Sequence, residues 1–477
     1  MNKGTAQFDR GLGGAVCALQ LARAARGVAF MLAFAAGIVL PSRLALADAA
    51  PAAPTPAPAP APAASADSAL VARGAYLAKA ADCAGCHTAA PAGNPPQPSA
   101  PFAGGLPVRS PFGIIWSSNI TPDPEAGIGR YRYEDFVRAV RDGIAPGGKH
   151  LYPAMPYPSF AKISDDDMRA LYAYFMHGVQ PVPKRPPQTQ LPFPFNQRWA
   201  LVFWNEFFAP HERFKPDENR GAAWNRGAYL VQALGHCGAC HTGRGPAYEE
   251  RGYSDKDPLF LTGGTVDHWF APNLTGDPAS GLGRWSEADI ASFLKRGHGA
   301  GAAAFGSMVE VIENSGQYLT DADLDAISTY LKTLVPRRRN GLADTDPAKR
   351  QRTVDVLRTG AINQPGAGLY RGFCARCHHD DGMGEPGKYP RLAGSAVVLA
   401  PQTTSLVRLL IEGGSTAKTQ DGPKPQEMPA FGGKLTDTEM ARVLTFVRNA
   451  WGNQAAPVTT REVRELRSAI AKTAASK

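Results

Sequence analysis

Three stretches of the chain carry the same hydrophobic rhythm behind the same polar start. Met168, Leu171, Tyr172 and Phe175 recur at steps of three and four, as do Leu324, Ile327, Leu331 and Leu334, and again Met440, Val443, Leu444 and Val447. Such spacing puts the four side chains on one face of a helix. A hydroxyl residue precedes each run, with a carboxylate three positions on: Ser164 and Asp167, Thr320 and Asp323, Thr436 and Glu439. That is the pattern of a helix N-cap, with acidic groups favourable in the first turn. The pattern predicts three terminal helices, each burying one face. The segments that open the three units also read as helical. Between opening and terminal helices lie loops rich in glycine and proline, which together number 50 and 42 in the chain.

The units are repeats, and a repeat has to be recognised before its fold is read. Arg73-Gly74-Ala75-Tyr76-Leu77 returns as Arg226-Gly227-Ala228-Tyr229-Leu230. Asn119-Ile120-Thr121 with Asp123-Pro124 returns as Asn273-Leu274-Thr275 with Asp277-Pro278. Gly127-Ile128-Gly129-Arg130 returns as Gly281-Leu282-Gly283-Arg284. The third unit, from about Gly366, is shorter and more diverged. The expected boundaries are 68–181, 218–338 and 361–453.

The remaining segments differ in character. Lys3, Arg10, Arg23 and Arg26 precede an apolar run, Val28 to Leu40, and Ala45-Leu46-Ala47 fits an export cleavage site. Residues 1–47 are therefore expected to be a signal peptide, with an uncleaved anchor as the alternative. The run is about 13 residues, below the roughly 20 of a membrane-spanning helix. Residues 48–67 are nearly all alanine and proline and read as an extended tether. An aromatic linker occupies 182–217, where Trp199, Phe203, Trp204, Phe207 and Phe208 crowd together. It is either an interdomain core or a surface for a partner subunit, a quinone or a membrane. The tail, 454–477, carries Val463, Leu466 and Ile470 at helical spacing beside Arg461, Arg464 and Arg467. It reads as a basic amphipathic helix able to rest on a membrane or a partner.

Each unit opens with chemistry. Cys83-Ala84-Gly85-Cys86-His87, Cys237-Gly238-Ala239-Cys240-His241 and Cys374-Ala375-Arg376-Cys377-His378 are three copies of C-x-x-C-H. Two thiols at this spacing can form thioethers with the vinyl groups of a haem, and the adjoining imidazole then becomes an iron ligand. Three covalent haem c groups follow, held by Cys83, Cys86, Cys237, Cys240, Cys374 and Cys377. A C-x-x-C pair alone could be a redox disulfide or half a zinc site, but three copies with a following histidine favour haem. The seventh cysteine, Cys17, lies in the leader, so no pair is left for a structural disulfide.

A haem iron that only carries electrons needs a second axial ligand, and methionine sulfur raises its potential. Met155, Met308 and Met428 each stand shortly before a terminal helix. They lie 68, 67 and 50 residues beyond His87, His241 and His378. Met155 and Met428 precede proline and Met308 does not, which leaves His298 as a rival in the second unit. His150, His177, His211, His236, His268 and His379 fit no ligand pattern. With three six-coordinate irons none is open to substrate, so no catalytic residue is assigned and the chain reads as an electron relay. No G-x-G-x-x-G follows a strand pattern, so a flavin or nicotinamide site is not indicated. Of the formal net charge of +9, the leader contributes +4 (five basic residues against Asp9), leaving +5 for the rest. That is mildly basic, suited to an anionic membrane surface or an acidic partner. Nucleic acid is not an expected partner in an exported compartment.

On these motifs, on Tyr152-Pro153-Ala154-Met155-Pro156-Tyr157 and on Gln317-Tyr318-Leu319-Thr320-Asp321, residues 68–452 resemble a known family. It is the triple-haem cytochrome c subunit of bacterial membrane-associated dehydrogenases acting on alcohols, gluconate, fructose, sorbitol or aldehydes. The resemblance implies an all-α fold of three class I cytochrome c-like domains in tandem. It also implies a separate catalytic subunit carrying pyrroloquinoline quinone, flavin or molybdopterin. Electrons would pass from it through the haems to ubiquinone or a terminal oxidase, at the periplasmic face of the inner membrane. The family's haem ligands coincide with the residues named above. A free-standing electron shuttle and a peroxidase-like haem enzyme are the rival functions.

Overall fold

In a computed structural model, the described residues are 63–91, 98–337, 342–360 and 364–475. The expected signal peptide with its cleavage site, Cys17 and most of the expected tether lie outside them. The fold is all-α and loop-rich, and the sheet consists of two-stranded antiparallel ribbons.

In the first unit, helix α1 (Ala63–Ala80) leads into a short helix α2 (Cys83–His87), followed by α3 (Tyr133–Asp142) and the terminal α4 (Asp165–Ala173). Helix α1 begins inside the segment read as tether. The linker holds α5 (Leu201–Phe208). The second unit repeats the plan with α6 (Ala222–Tyr229), α7 (Gly238–His241), α8 (Glu287–Arg296), α9 (Ser307–Asn314) and the terminal α10 (Asp321–Lys332). The third has α11 (Pro347–Thr359), α12 (Ala367–Phe373), α13 (Ala375–His378), α14 (Thr404–Glu412), the terminal α15 (Asp437–Asn449) and the tail helix α16 (Thr460–Ala475).

The three terminal helices start where their caps are. Ser164, Thr320 and Thr436 each accept a hydrogen bond from the backbone N–H three residues on. The opening helix crosses the terminal helix at close range, and a glycine makes this possible. A Cβ on Gly74 would stand 1.9 Å from the Ala170 carbonyl oxygen, and one on Gly227 would stand 1.9 Å from that of Ala326.

The duplicated Arg-Gly-Ala-Tyr-Leu motif has a second use. Arg73 binds Asp167 within the first unit (2.9 Å from Nε), and Tyr229 of the second unit donates to the same carboxylate at 2.7 Å. Reciprocally, Arg226 binds Asp323 through two nitrogens (2.8 and 2.7 Å), and Tyr76 of the first unit donates to Asp323 at 2.5 Å. Each tyrosine oxygen also accepts the backbone N–H of the partner's cap residue, Ser164 or Thr320. The two units thus exchange identical contacts, as in an isologous dimer folded into one chain. They share one continuous apolar core, whereas the third unit has its own.

Two segments outside the expected 361–453 boundary pack onto the third unit. The tail helix is not free: Val463 is fully buried, Leu466 nearly so, and Arg467 donates to Asp437 and to the Gly432 and Leu435 carbonyls. Its apolar face is taken up by its own unit. The second is α11, which lies before 361; it buries Val354 and Leu357, and Leu357 belongs to the third core. Asp346 caps it, with Pro347 at its first position.

Tyr76→Phe and Tyr229→Phe should each lower stability by about 1.5–3 kcal/mol, the range for a hydrogen bond to a charged group, read by urea unfolding. The bonds from Arg226 and Tyr76 hold Asp323 below its usual value against the opposing pull of burial. Its contribution is present above the unfolded carboxylate value near 3.9 and is lost as pH falls through the lower folded value. Asp323→Asn should flatten that acid limb.

Candidate functional site

The six motif cysteines are unpaired thiols; Cys83, Cys86, Cys240 and Cys377 lie on short helices, and Cys237 and Cys374 cap them. Burial pushes the Cys83, Cys86, Cys237 and Cys374 thiols up to about 12. Among the described residues no group of three His, Cys, Asp or Glu side chains is placed to hold a metal ion.

The three histidines are held in one way. His87 Nδ1 lies 2.7 Å from the Ser118 carbonyl oxygen, His241 Nδ1 lies 2.7 Å from that of Pro272, and His378 Nδ1 lies 2.9 Å from that of Pro390. A carbonyl can only accept, so Nδ1 carries the proton and donates it. Nε2 is left with its lone pair, the form that binds a metal. Burial lowers the proton affinity of all three imidazoles, more than the carbonyl bonds restore it. Each histidine's own carbonyl is also fixed, by the N–H of Gly104, Gly263 or Gly384.

The repeated loop motifs build the posts that present these carbonyls. Asn119, directly after Ser118, is buried; its Oδ1 accepts from the Thr121 N–H, and its Nδ2 donates to the Val182 and Lys184 carbonyls. Asn273, directly after Pro272, accepts from the Thr275 N–H and donates to Ser280 Oγ and the Arg337 carbonyl. Asp123 and Asp277 each close the following turn by accepting two backbone N–H groups. In the third unit Asn453 does comparable work, donating to the Leu392 and Val447 carbonyls and accepting from the Gly394 N–H. Neither Asn453 nor Pro390 was among the sequence candidates. Asn453 lies 75 residues beyond His378, and no local signal ties the two.

A cavity of about 310 Å³ opens beside the second motif. Cys237, Cys240, His241 and Met308 all line it, with Leu230, Trp269, Phe270, Leu282, Phe293 and Leu331 among its apolar walls. His298 does not line it; its Nδ1 lies 3.3 Å from the Arg296 carbonyl oxygen and its Nε2 is buried without a partner. Met308 sits in the first turn of α9, behind Gly306 at φ 55°, ψ −144°. Met155 and Met428 occupy extended or turn segments packed on the cores of their units. In the second unit Met308 thus stands at the start of a helix, unlike Met155 and Met428. Donor set, histidine tautomer and apolar cavity together fit a covalently attached haem.

The linker splits between its two expected roles. Trp204 donates to the Ala247 carbonyl of the second unit and packs edge-on against Tyr157 of the first. Trp199, Phe203 and Phe207, four residues apart, face solvent at 65%, 59% and 73% exposure, beside Phe193 at 79%. No helix among the described residues is long and apolar enough to cross a membrane.

The cytochrome c family model matches residues 71–178, 225–335 and 364–451. Among similar proteins, the gluconate 2-dehydrogenase cytochrome c subunit of Pantoea cypripedii is 44% identical over 84% of this chain and 90% of its own length. The cytochrome c subunit of the quinone alcohol dehydrogenase of Gluconacetobacter polyoxogenes is 45% identical over 84% and 85%. The fructose dehydrogenase cytochrome subunit of Gluconobacter japonicus is 39% identical over 85% and 84%.

A side chain at Gly306 would meet the Trp269 ring at 2.7 Å in a backbone region open to glycine alone. Gly306→Ala should cost roughly 1–3 kcal/mol, read by chemical denaturation.

Proposed function

This chain belongs to the cytochrome c family, and from that premise we propose that it is the electron-transfer subunit of a periplasmic dehydrogenase complex, carrying three haem c groups on three cytochrome c-like domains in series. The attachment residues are Cys83 and Cys86, Cys237 and Cys240, and Cys374 and Cys377. His87 with Met155, His241 with Met308, and His378 with Met428 would hold the three haem irons. Bound haem supplies a one-electron couple, and methionine ligation places it at the higher end of the range. The protein's part is to hold each imidazole in one tautomer and orientation, to exclude water, and to offer a methionine sulfur as a second ligand. With these residues holding it, such an iron would carry electrons and leave substrate oxidation to a separate catalytic subunit. The observation that carries the reading is the threefold bond from a motif histidine Nδ1 to a fixed backbone carbonyl. The relatives named as dehydrogenase cytochrome subunits over nearly their whole length favour a complex over a free shuttle.

The electron acceptor is ubiquinone or a terminal oxidase, and the exposed aromatic face of the linker is the surface that meets the membrane. Tryptophan and phenylalanine at four-residue spacing form an interfacial wedge. The exposed Lys184 and Arg185 of the same linker suit anionic headgroups.

The exported protein should yield three haems per chain in a pyridine haemochrome assay and co-purify with a catalytic dehydrogenase subunit; fewer haems, or no such subunit, would overturn the proposal. Met308→Ala should turn one of three low-spin haems high-spin and lower its potential, whereas His298→Ala should leave all three unchanged. Trp199→Ser/Phe203→Ser/Phe207→Ser should weaken binding to anionic vesicles by tenfold or more, with haem content retained.

A further inference from the structure

The cavity beside His241 is not built by the second unit alone. Ala80 and Asp82 of the first unit line it, and so do Arg391 and the Gly394–Val397 segment of the third. Arg391 directly follows Pro390, whose carbonyl receives the His378 proton, and its own N–H donates to the Gly301 carbonyl of the second unit at 2.9 Å. Its side chain runs across Gly301, where a Cβ would lie 3.2 Å from Arg391 Cδ.

Arg284 lines the same cavity. Among the described residues neither guanidinium has a hydrogen-bond or ion-pair partner. The charges of Arg284 and Arg350 add to burial in weakening the hold of Arg391 on its proton, and Asp289 opposes them. The Asp289 carboxylate is already engaged, accepting from the Ser286 N–H and hydroxyl and from the Ala300 N–H. Arg391 is half-buried and Arg284 is exposed at the same cavity wall, so their repulsion is only partly screened by water, and an anion between them would relieve it. A c-type haem brings two propionate carboxylates, and arginine is the side chain suited to binding carboxylates in pairs.

We propose that Arg391 of the third unit, together with Arg284, binds the propionates of the haem in the second unit, so that the central haem site is completed across the domain boundary. This rests on the haem reading of Cys237, Cys240 and His241. Arg391 then acts as a positioning residue that ties the second haem's periphery to the peptide holding the third haem's histidine. The second haem becomes the junction of the relay, walled by both neighbouring units.

The test is a spectroelectrochemical titration of the purified three-haem protein. The second haem's wave is identified as the one lost in Cys237→Ala/Cys240→Ala, or displaced in Met308→His if that variant fails to fold. A cation beside a haem favours the reduced state. Arg391→Met should therefore shift the second haem's reduction equilibrium about tenfold toward the oxidised form, about 59 mV for a one-electron couple. The other two waves should move much less, and Arg391→Lys should restore most of the shift. An unchanged second wave with three haems bound would overturn the proposal, as would an equal shift in Arg391→Lys or a shift confined to the third haem. If wild-type protein carries no haem at Cys237 and Cys240, the haem reading itself has failed, and haem stoichiometry shows that separately.

Discussion

One hydrogen bond, made three times, organises the chain: an imidazole Nδ1–H donating to a backbone carbonyl. A histidine free to rotate and to exchange tautomers is a poor electron-transfer ligand, because its lone pair points nowhere in particular. A carbonyl cannot donate, so this contact fixes which nitrogen holds the proton and leaves the other free. The carbonyl must in turn be held still. The Asn-x-Thr and Asp-Pro segments, the close-packed glycines behind them and, in the third unit, Asn453 are the means. Much of the loop that separates the haem motif from the terminal helix exists to place one oxygen atom.

The arrangement of the units follows from a second economy. Arg73 and Arg226 tie opening to terminal helix inside each repeat, and the tyrosines three residues on reach across to the other repeat's aspartate. One motif thereby serves both the fold of a domain and its pairing. The product is a shared core for the first two units. The third unit is joined by more polar contacts, such as Ser405 with the Phe270 backbone and the Arg408 guanidinium 4.5 Å over the Trp269 ring. The second unit lies between, and its cavity takes residues from both neighbours.

Much of this was legible in the sequence. The caps at Ser164, Thr320 and Thr436 and the faces behind them read correctly because helix starts and periodicity are local properties. The loop repeats were visible as repeats, but their purpose was not, since Asn119 and Asn273 act on partners more than 60 residues away. The tail showed why amphipathicity alone does not identify a partner. Its apolar stripe is real, and the surface covering it is its own domain. The linker shows the converse: the same aromatic cluster contains one tryptophan that docks two units and three rings left in solvent.

The sequence by itself determined the three C-x-x-C-H motifs, the repetition of the units and the starts of their terminal helices. Each of these is a relation between residues a few positions apart, where covalent spacing and backbone geometry leave little choice. Only the tertiary structure decided which carbonyl each histidine meets, that Met308 and not His298 shares the cavity of His241, that Tyr76 pairs with Asp323, and that Arg391 reaches the second unit's site. These depend on how separately formed segments pack, and no local propensity acts across 150 or 250 residues of chain.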